Sequence, residues 1–112
     1  MRNKKKRLRV RDVQDVLDVI GGRWRGPILA SLCEKQKRFN ELQRDLHPIT
    51  PRILTRELKY LEMNKLVFRS ANGKTSSVVV YGLTPHGQSL DPVIDGIVAW
   101  AQKHRKEVLG YK

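Results

Sequence analysis

The sequence has one cysteine, Cys33, and only three histidines, which are scattered along the chain. One thiol cannot close an internal disulfide, and no Cys or His residues have the spacing of a zinc or other metal site. No local motif pairs a serine or the cysteine with a histidine base. We therefore expect a reduced, cytoplasmic protein that is not an enzyme and holds no metal or cofactor.

Long hydrophobic runs are also missing, since none approaches the roughly 20 residues that cross a bilayer. No apolar stretch follows the basic N-terminus, so we expect no secretory signal. The chain has 112 residues, of which 39% are hydrophobic. That length and composition suit one compact domain with a small core.

Acidic residues are scarce, with 11 against 23 basic ones, and the formal net charge is +12. Seven bases and no acid fall within residues 1–11. Because like charges repel, we expect this segment to be a flexible basic arm, with a solubilising tail as the alternative. A second excess, seven bases against three acids, lies at residues 35–59. Such charge indicates a polyanionic partner, either nucleic acid or an acidic membrane surface.

Hydrophobic periodicity predicts three helices in the first half of the chain, over residues 12–20, 24–34 and 39–46. Asp12 is the expected N-cap of the first helix, and Gly21 with Gly22 ends it. Residues 35–37 are interpreted as a polar connection. Pro48 limits the third helix because the residue before a proline avoids the helical region.

The strongest helix signal begins at Thr50, a favoured N-cap, followed by Pro51, a favoured first helical residue. Asn64 is the expected left-handed residue at its end. Its apolar face consists of Ile53, Leu54, Leu58 and Leu61. Its polar stripe, with helical spacing, consists of Arg52, Thr55, Arg56 and Lys59.

After this helix the period changes to two, which predicts strands over residues 66–70 and 78–83. The Asn72-Gly73 pair between them is typical of a hairpin turn. Thr84-Pro85 then repeats the N-cap and first-turn pairing. A helical pattern continues to about residue 106, and we expect a kink or break before Pro92.

This order predicts an α+β, mostly α protein: a winged helix-turn-helix with additional N- and C-terminal helices. The domain covers residues 12–112, with residues 50–63 as recognition helix and residues 66–83 as wing. A helix of this length can enter the DNA major groove, which is about 12 Å wide. The predicted DNA-binding residues are Lys37, Arg38, Thr50, Arg52, Thr55, Arg56, Lys59 and Lys74.

These DNA-binding residues have different expected roles. Arg52 and Arg56 would read bases, since an arginine can bind guanine through two parallel hydrogen bonds. Lys37, Arg38 and Lys74 would hold phosphates. The alternative is that the stripe on the fourth helix is only a solvated helix face.

Two other classes remain open on these grounds. A basic RNA-binding or ribosome-associated protein would have this composition, although RNA readers usually expose aromatic side chains for stacking. The sequence has only seven aromatic residues, most at expected core positions. The second alternative is a winged-helix module that binds an acidic protein. Sequence-dependent DNA binding would separate the three.

Several segments resemble the HxlR-type winged helix-turn-helix regulators of bacteria and archaea. The matching segments are residues 17–24, 38–42, 49–55, 81–87 and 90–93, together with Leu58, Leu61, Glu62 and Trp100. Each is short, but their order and spacing are specific and cover roughly residues 12–104. The resemblance implies a homodimer that binds operator DNA and represses or activates nearby genes, and we expect repression.

The resemblance also implies that the first and last helices form the dimer contact. Many members of the family carry a redox-sensing Cys-Pro pair, but the corresponding positions here are Arg11 and Asp12. Cys33 lies on the apolar face of the second helix, where a buried thiol is usually inert. Thiol sensing by that route is therefore not expected. The space between the dimer helices and the winged core could hold a small-molecule effector, whose identity the sequence does not reveal.

The last helix has more apolar residues than one small core requires, which itself suggests a partner surface. Trp100 is the largest of them, and the alternative is that it closes the core of the single chain. The predicted dimer interface consists of Val13, Leu17, Leu90, Ile94, Ile97, Trp100 and Ala101. A twofold dimer would place two recognition helices roughly 34 Å apart and predicts a palindromic site.

Overall fold

The structure is a computed structural model that describes residues 2–71 and 78–110, with side chains from Arg9 onward. Its helices are α1 (Arg2–Ile20), α2 (Arg25–Glu34), α3 (Phe39–Asp45), α4 (Pro51–Met63), α5 (Pro85–Gln88) and α6 (Asp91–Leu109). Its strands are β1 (Lys37–Arg38), β2 (Val67–Ala71) and β3 (Val79–Leu83). No helix in the described part of the chain is long and apolar enough to cross a membrane.

The core lies between α2, α3, α4 and the sheet. Helix α4 contributes Leu54, Leu58 and Leu61, which are at most 1% exposed and recur at helical spacing. Burying a leucine side chain contributes about 1.5–3 kcal/mol, so this face fixes the orientation of α4. The buried apolar residues are Ile28, Leu29, Leu32, Leu42, Leu46, Ile49, Leu54, Leu58, Leu61, Leu66, Val67 and Leu83.

Two Thr-Pro pairs begin helices, as predicted. The Thr50 hydroxyl accepts a hydrogen bond from the Ile53 backbone N–H at 3.2 Å. The Thr84 hydroxyl accepts one from the Gly87 N–H at 2.9 Å and donates to the Lys65 carbonyl at 2.6 Å. The second threonine therefore ties the start of α5 to the turn after α4.

The end of α4 differs from its prediction. Asn64 has an ordinary φ of −87°, and the left-handed residue is Lys65, with a φ of 62°. The Asn64 side-chain amide donates instead to the Tyr60 carbonyl at 2.9 Å. Asn64 thus completes the last turn of α4, and the reversal of the chain falls one residue later.

The sheet has the strand order β1-β3-β2 and is antiparallel. The predicted hairpin is confirmed, with Val67 opposite Leu83 and Arg69 opposite Tyr81. The interpretation of residues 35–37 as a polar connection is wrong for Lys37, which with Arg38 forms strand β1. Its two residues are too few to show a period, and the strand forms only because β3 pairs with it. Residues 72–77, which include Lys74, lie outside the described residues.

The first helix begins earlier than predicted. Helix α1 runs back to Arg2, so Asp12 is an interior residue and not an N-cap. The run before Asp12 contains no proline or glycine, and Lys and Arg are good helix formers. The boundary predicted between residues 11 and 12 therefore falls inside one helix.

The predicted interruption near Pro92 is confirmed. Helix α5 ends at Gln88 and α6 begins at Asp91, with Pro92 in its first turn. Although α6 has 19 residues, none of its side chains is buried in the single chain.

Candidate nucleic-acid interface

The outer face of α4 carries the predicted polar stripe. Arg52, Thr55, Arg56 and Lys59 are all exposed, while the leucines of the same helix face the core. The helix has 13 residues, which corresponds to about 20 Å at 1.5 Å per residue. The structure therefore places three cations and one hydroxyl along one exposed side of a rigidly packed helix.

The start of α4 is also exposed, at Thr50 and Pro51. Thr50 caps the Ile53 N–H and its carbonyl accepts from Leu54, so its side chain is already used within the helix. The first turn contains no acid, and the positive end of the helix dipole faces solvent. This end of α4 can attract a phosphate, but Thr50 contributes mainly as the cap.

The turn before α3 places Arg38 outward. The Arg38 backbone N–H donates to Glu41 Oε1 at 2.9 Å, and this hydrogen bond lowers the pKa of Glu41. The Arg38 side chain is exposed, and it lines a shallow hollow of about 510 Å³ together with Arg44. Sequence reasoning missed Arg44, although it lies in the same α3 region as the predicted cations.

The prediction that Lys37 holds a phosphate is wrong. Its ammonium lies 2.5 Å from Asp45 Oδ2, 2.6 Å from Glu34 Oε1 and 2.9 Å from the Ser31 hydroxyl, and its side chain is 4% exposed. Burial would lower the pKa of Lys37, but its hydrogen bonds to Asp45 and Glu34 outweigh burial and raise it. Because neighbours on a strand point to opposite faces, Lys37 points inward and Arg38 outward. Lys37 therefore joins α2, β1 and α3.

The wing contributes an arginine that the sequence reasoning also missed. Arg69 is exposed on β2. It lines a cleft of about 430 Å³ between the wing and α4, together with Thr55 and Lys59. Tyr81, which lies opposite Arg69 in the strand register, lines the same cleft, so both side chains lie beside the recognition helix. Lys74, predicted at the wing tip, lies outside the described residues.

The RNA-binding alternative receives no support from the aromatic side chains. Of the six aromatic residues that the structure describes, only Trp100 is exposed, and it lies on α6 instead of on the basic surface. Among the described residues, the surface that carries the exposed cations of α3, α4 and β2 therefore has no exposed ring on which a base could stack.

The predicted dimer residues divide into two groups. Val13, Leu17, Ile97 and Trp100 are 47–64% exposed. Leu90 and Ile94 are half-buried against the core, and Ala101 is also half-buried. The interpretation that Trp100 closes the core is excluded, because its side chain stands outside the core and stacks on His104. Helices α1 and α6 therefore each carry exposed apolar side chains.

Cys33 is half-buried and packs against the core. Burial, followed by the charge and hydrogen bond of Asp91, raises the pKa of its thiol above the usual 9.0. It lines a cleft of about 590 Å³ between α2 and the α5–α6 region. A thiol with a raised pKa has little thiolate at neutral pH and is a poor redox sensor.

A short helix, a turn, a capped helix with a basic outer face and a following hairpin define a winged helix-turn-helix DNA-binding protein. The sequence profile of the HxlR-like helix-turn-helix family matches residues 19–108, and the chain belongs to that family. It is a DNA-binding transcriptional regulator.

The chain is also similar to individual known regulators in sequence and in structure. The chain is 36% identical over 96 residues to the uncharacterized HTH-type transcriptional regulator YdeP of Bacillus subtilis, covering 86% of this chain and 75% of that protein. The redox regulator HypR in its reduced form superposes with a TM-score of 0.82 at 35% identity, covering 89% of this chain and 99% of HypR. The reduced form of YodB from B. subtilis gives a TM-score of 0.77 at 30% identity, covering 90% of this chain and 96% of YodB.

Proposed function

We propose that this regulator binds a palindromic operator as a homodimer, with α4 of each chain in the major groove, and represses the adjacent gene. The observation that carries this proposal is the two-sided character of α4. One side is locked into the core by three buried leucines, and the other presents three cations and a threonine. A DNA-binding regulator of this family acts where the chromosome is, in the prokaryotic cytoplasm.

The exposed cations have two roles in this proposal. Arg52 and Arg56 read base edges, and Thr55 can contact a thymine methyl. Lys59, which follows on the same stripe, extends the contact to the backbone. Arg38 holds phosphates, as Lys74 does if the wing tip reaches the backbone, and the structure adds Arg44 and Arg69 as phosphate-binding candidates.

The homodimer is supported by exposed apolar side chains on α1 and α6, which we take as the two parts of one interface face. On α6, Val93, Ile97 and Trp100 recur at helical spacing and are 43–64% exposed, and clustered apolar surface of this kind marks interaction sites in soluble proteins. The central contacts of the proposed interface are Leu17, Ile97 and Trp100, which are all about half exposed or more. A twofold axis at this face gives two copies of α4 that meet two half-sites about one DNA turn apart.

The test of DNA recognition is selection of genomic fragments by the purified protein, followed by affinity measurements on the selected site. We expect the selected duplex to bind about 10³-fold or more tightly than random duplex or RNA at physiological salt. Equal affinity for all three would refute sequence-specific recognition. A half-site repeated with twofold symmetry is the expected form of the selected sequence.

The test of the dimer is sedimentation of the double variant Trp100→Ala with Ile97→Glu. We expect a folded monomer, because the substitutions remove the largest apolar contact and place a charge in the interface. The control is Met63→Glu, which charges an 80% exposed apolar side chain outside this face and should stay dimeric. An unchanged mass of the double variant would exclude this interface.

We also propose that a small-molecule effector regulates DNA binding by this protein. The cleft between α2 and the α5–α6 region, which Leu32, Cys33 and Asp91 line, is placed to couple a ligand to the position of α6. Titration of the protein–DNA complex with candidate compounds tests it. A compound that releases DNA from the native protein should fail on a variant that fills the cleft, such as Cys33→Phe.

A further inference from the structure

The recognition helix carries one buried acid, Glu57, between two guanidinium groups. Its side chain is only 11% exposed. Oε1 accepts from Arg25 Nε at 2.8 Å, and Oε2 accepts from Arg56 Nε at 3.4 Å. The two partners differ in surroundings, since the Arg25 side chain is 26% exposed and that of Arg56 is 71% exposed.

Arg25 is itself held in place from several sides. Its guanidinium lies 3.5 Å from the centre of the Tyr60 ring, and its Nη1 donates to the Asp18 carbonyl at 2.9 Å. The Tyr60 hydroxyl donates to the same carbonyl at 2.7 Å. Helices α1, α2 and α4 therefore meet at one cluster, and Glu57 is fixed by a cation that has little freedom to move.

The second carboxylate oxygen reaches outward from this cluster. Arg56 lies on the exposed stripe, and its contact with Glu57 occupies Nε. The two Nη groups are then left for an external partner. Those are the groups that donate two parallel hydrogen bonds to the O6 and N7 of guanine. A long side chain that is already restrained also loses less conformational freedom on binding.

We propose that Glu57 is a positioning residue for sequence readout: anchored by Arg25, it orients the Arg56 guanidinium toward the base edges without touching DNA itself. This inference rests on the proposed base contact of Arg56. A purely structural role for Glu57 requires only the ion pair with Arg25. A purely structural role makes no use of the contact with Arg56. If Glu57 only supports the fold, its substitution has the same effect with or without Arg56. If Glu57 positions Arg56, the effect on specificity disappears once Arg56 is alanine.

The experiment measures the ratio of affinities for the selected operator and for random duplex in a four-protein cycle. The proteins are the native chain, Glu57→Gln, Arg56→Ala and the double variant. Glutamine keeps the shape and one acceptor oxygen but loses the charge. We expect Glu57→Gln to lower the ratio about fivefold to tenfold in the native background and to have no further effect once Arg56 is alanine.

Glu62→Gln is the matched control. It removes one negative charge from the same helix, and no side-chain contact joins Glu62 to Arg56 among the described hydrogen bonds and ion pairs. Its specificity ratio should stay within about twofold of the native value. Glu57→Asp keeps both oxygens and the charge, and it should restore part of the loss. If Glu57→Gln does not fold, Glu57→Asp carries the same comparison in both Arg56 backgrounds.

The outcomes separate the inference from the proposal beneath it. An equal loss from the Glu57 substitution in both Arg56 backgrounds would overturn the inference, because the residue would then act without Arg56. A ratio lowered by Arg56→Ala but unchanged by either Glu57 variant would also overturn it and leave the base contact standing. If Arg56→Ala itself leaves the ratio unchanged, the base contact fails and the inference falls with it.

Discussion

Replacing Lys37 with methionine distinguishes two roles for this residue: holding a DNA phosphate, as the sequence predicted, and joining α2, β1 and α3, as the structure shows. Methionine has a similar length but no charge and no hydrogen-bond donor. The native ammonium is buried and holds Asp45, Glu34 and Ser31 together. Lys37→Met therefore removes three contacts that join α2, β1 and α3, and it removes no exposed cation.

The expected loss of stability is moderate. A hydrogen bond to a charged group contributes about 1.5–3 kcal/mol, and a buried pair broken on one side costs more. Here Asp45 and Glu34 are 43% and 72% exposed, so their carboxylates return to water when the ammonium is removed. We therefore expect the free energy of unfolding to fall by about 1–2 kcal/mol, which lowers the melting temperature by roughly 4–8 °C per kcal/mol.

The assay combines thermal unfolding with DNA binding as a function of salt. The slope of log affinity against log salt should be unchanged in Lys37→Met, while Arg44→Ala should reduce it by about one unit for a lost phosphate contact. Lys35→Met is the control, since Lys35 is an exposed lysine two residues away. Its stability should change by less than about 0.5 kcal/mol.

The opposite pattern would refute this reasoning. A native melting temperature together with a reduced salt slope in Lys37→Met would mean that Lys37 binds phosphate. The pH dependence gives a second check. The pKa of Asp45 is lowered, first by its hydrogen bond to Lys37, from the usual 3.8. The stabilisation from this hydrogen bond is present above pH 3.8 and is lost as the pH falls through the lower pKa of the folded state. The free energy of unfolding of Lys37→Met should therefore fall less on acidification than that of the native chain.

Three further predictions concern the caps, the packing and the thiol. Thr50→Ala should cost about 1 kcal/mol in urea unfolding because it removes the N-cap of α4, and Thr50→Ser should retain most of the stability. Gly87→Ala would place a Cβ 2.1 Å from the Leu66 carbonyl oxygen, so it should destabilise the protein by about 1–3 kcal/mol or more, whereas Gly96→Ala has open space around the new Cβ and should not. Alkylation of Cys33 should be slower at pH 7 than that of a free thiol and should still be rising with pH at pH 9.0, since burial and Asp91 raise the pKa of its thiol; labelling at neutral pH as fast as that of a free thiol would contradict this account.

The parts of the fold that the sequence predicts well are those that local interactions determine. The two Thr-Pro starts depend on contacts within three residues. The core face of α4 follows from the spacing of its leucines. These features needed no information about distant parts of the chain, and the predicted order of helix, turn, helix and hairpin followed from them.

The missed features depend on residues far apart in sequence. Strand β1 exists because β3 lies beside it, and Lys37 is buried because that pairing turns it inward. The contact of Glu57 with Arg25 spans 32 residues. In contrast, the early start of α1 was a local feature, and the prediction gave too much weight to charge repulsion and too little to helix propensity. The sequence therefore predicted the cations around α3, α4 and the wing, but it did not predict which of these cations face solvent.

Helix α6 has a consequence for how this regulator responds to its own abundance. Several apolar side chains of α6 are exposed in the single chain, and in the proposed homodimer a second copy covers them. Below the dissociation constant of that pairing, the amount of dimer rises with the square of the protein concentration. Occupancy of an unsaturated operator would then respond steeply to gene dosage. Halving the cellular concentration of the protein would lower that occupancy by more than half.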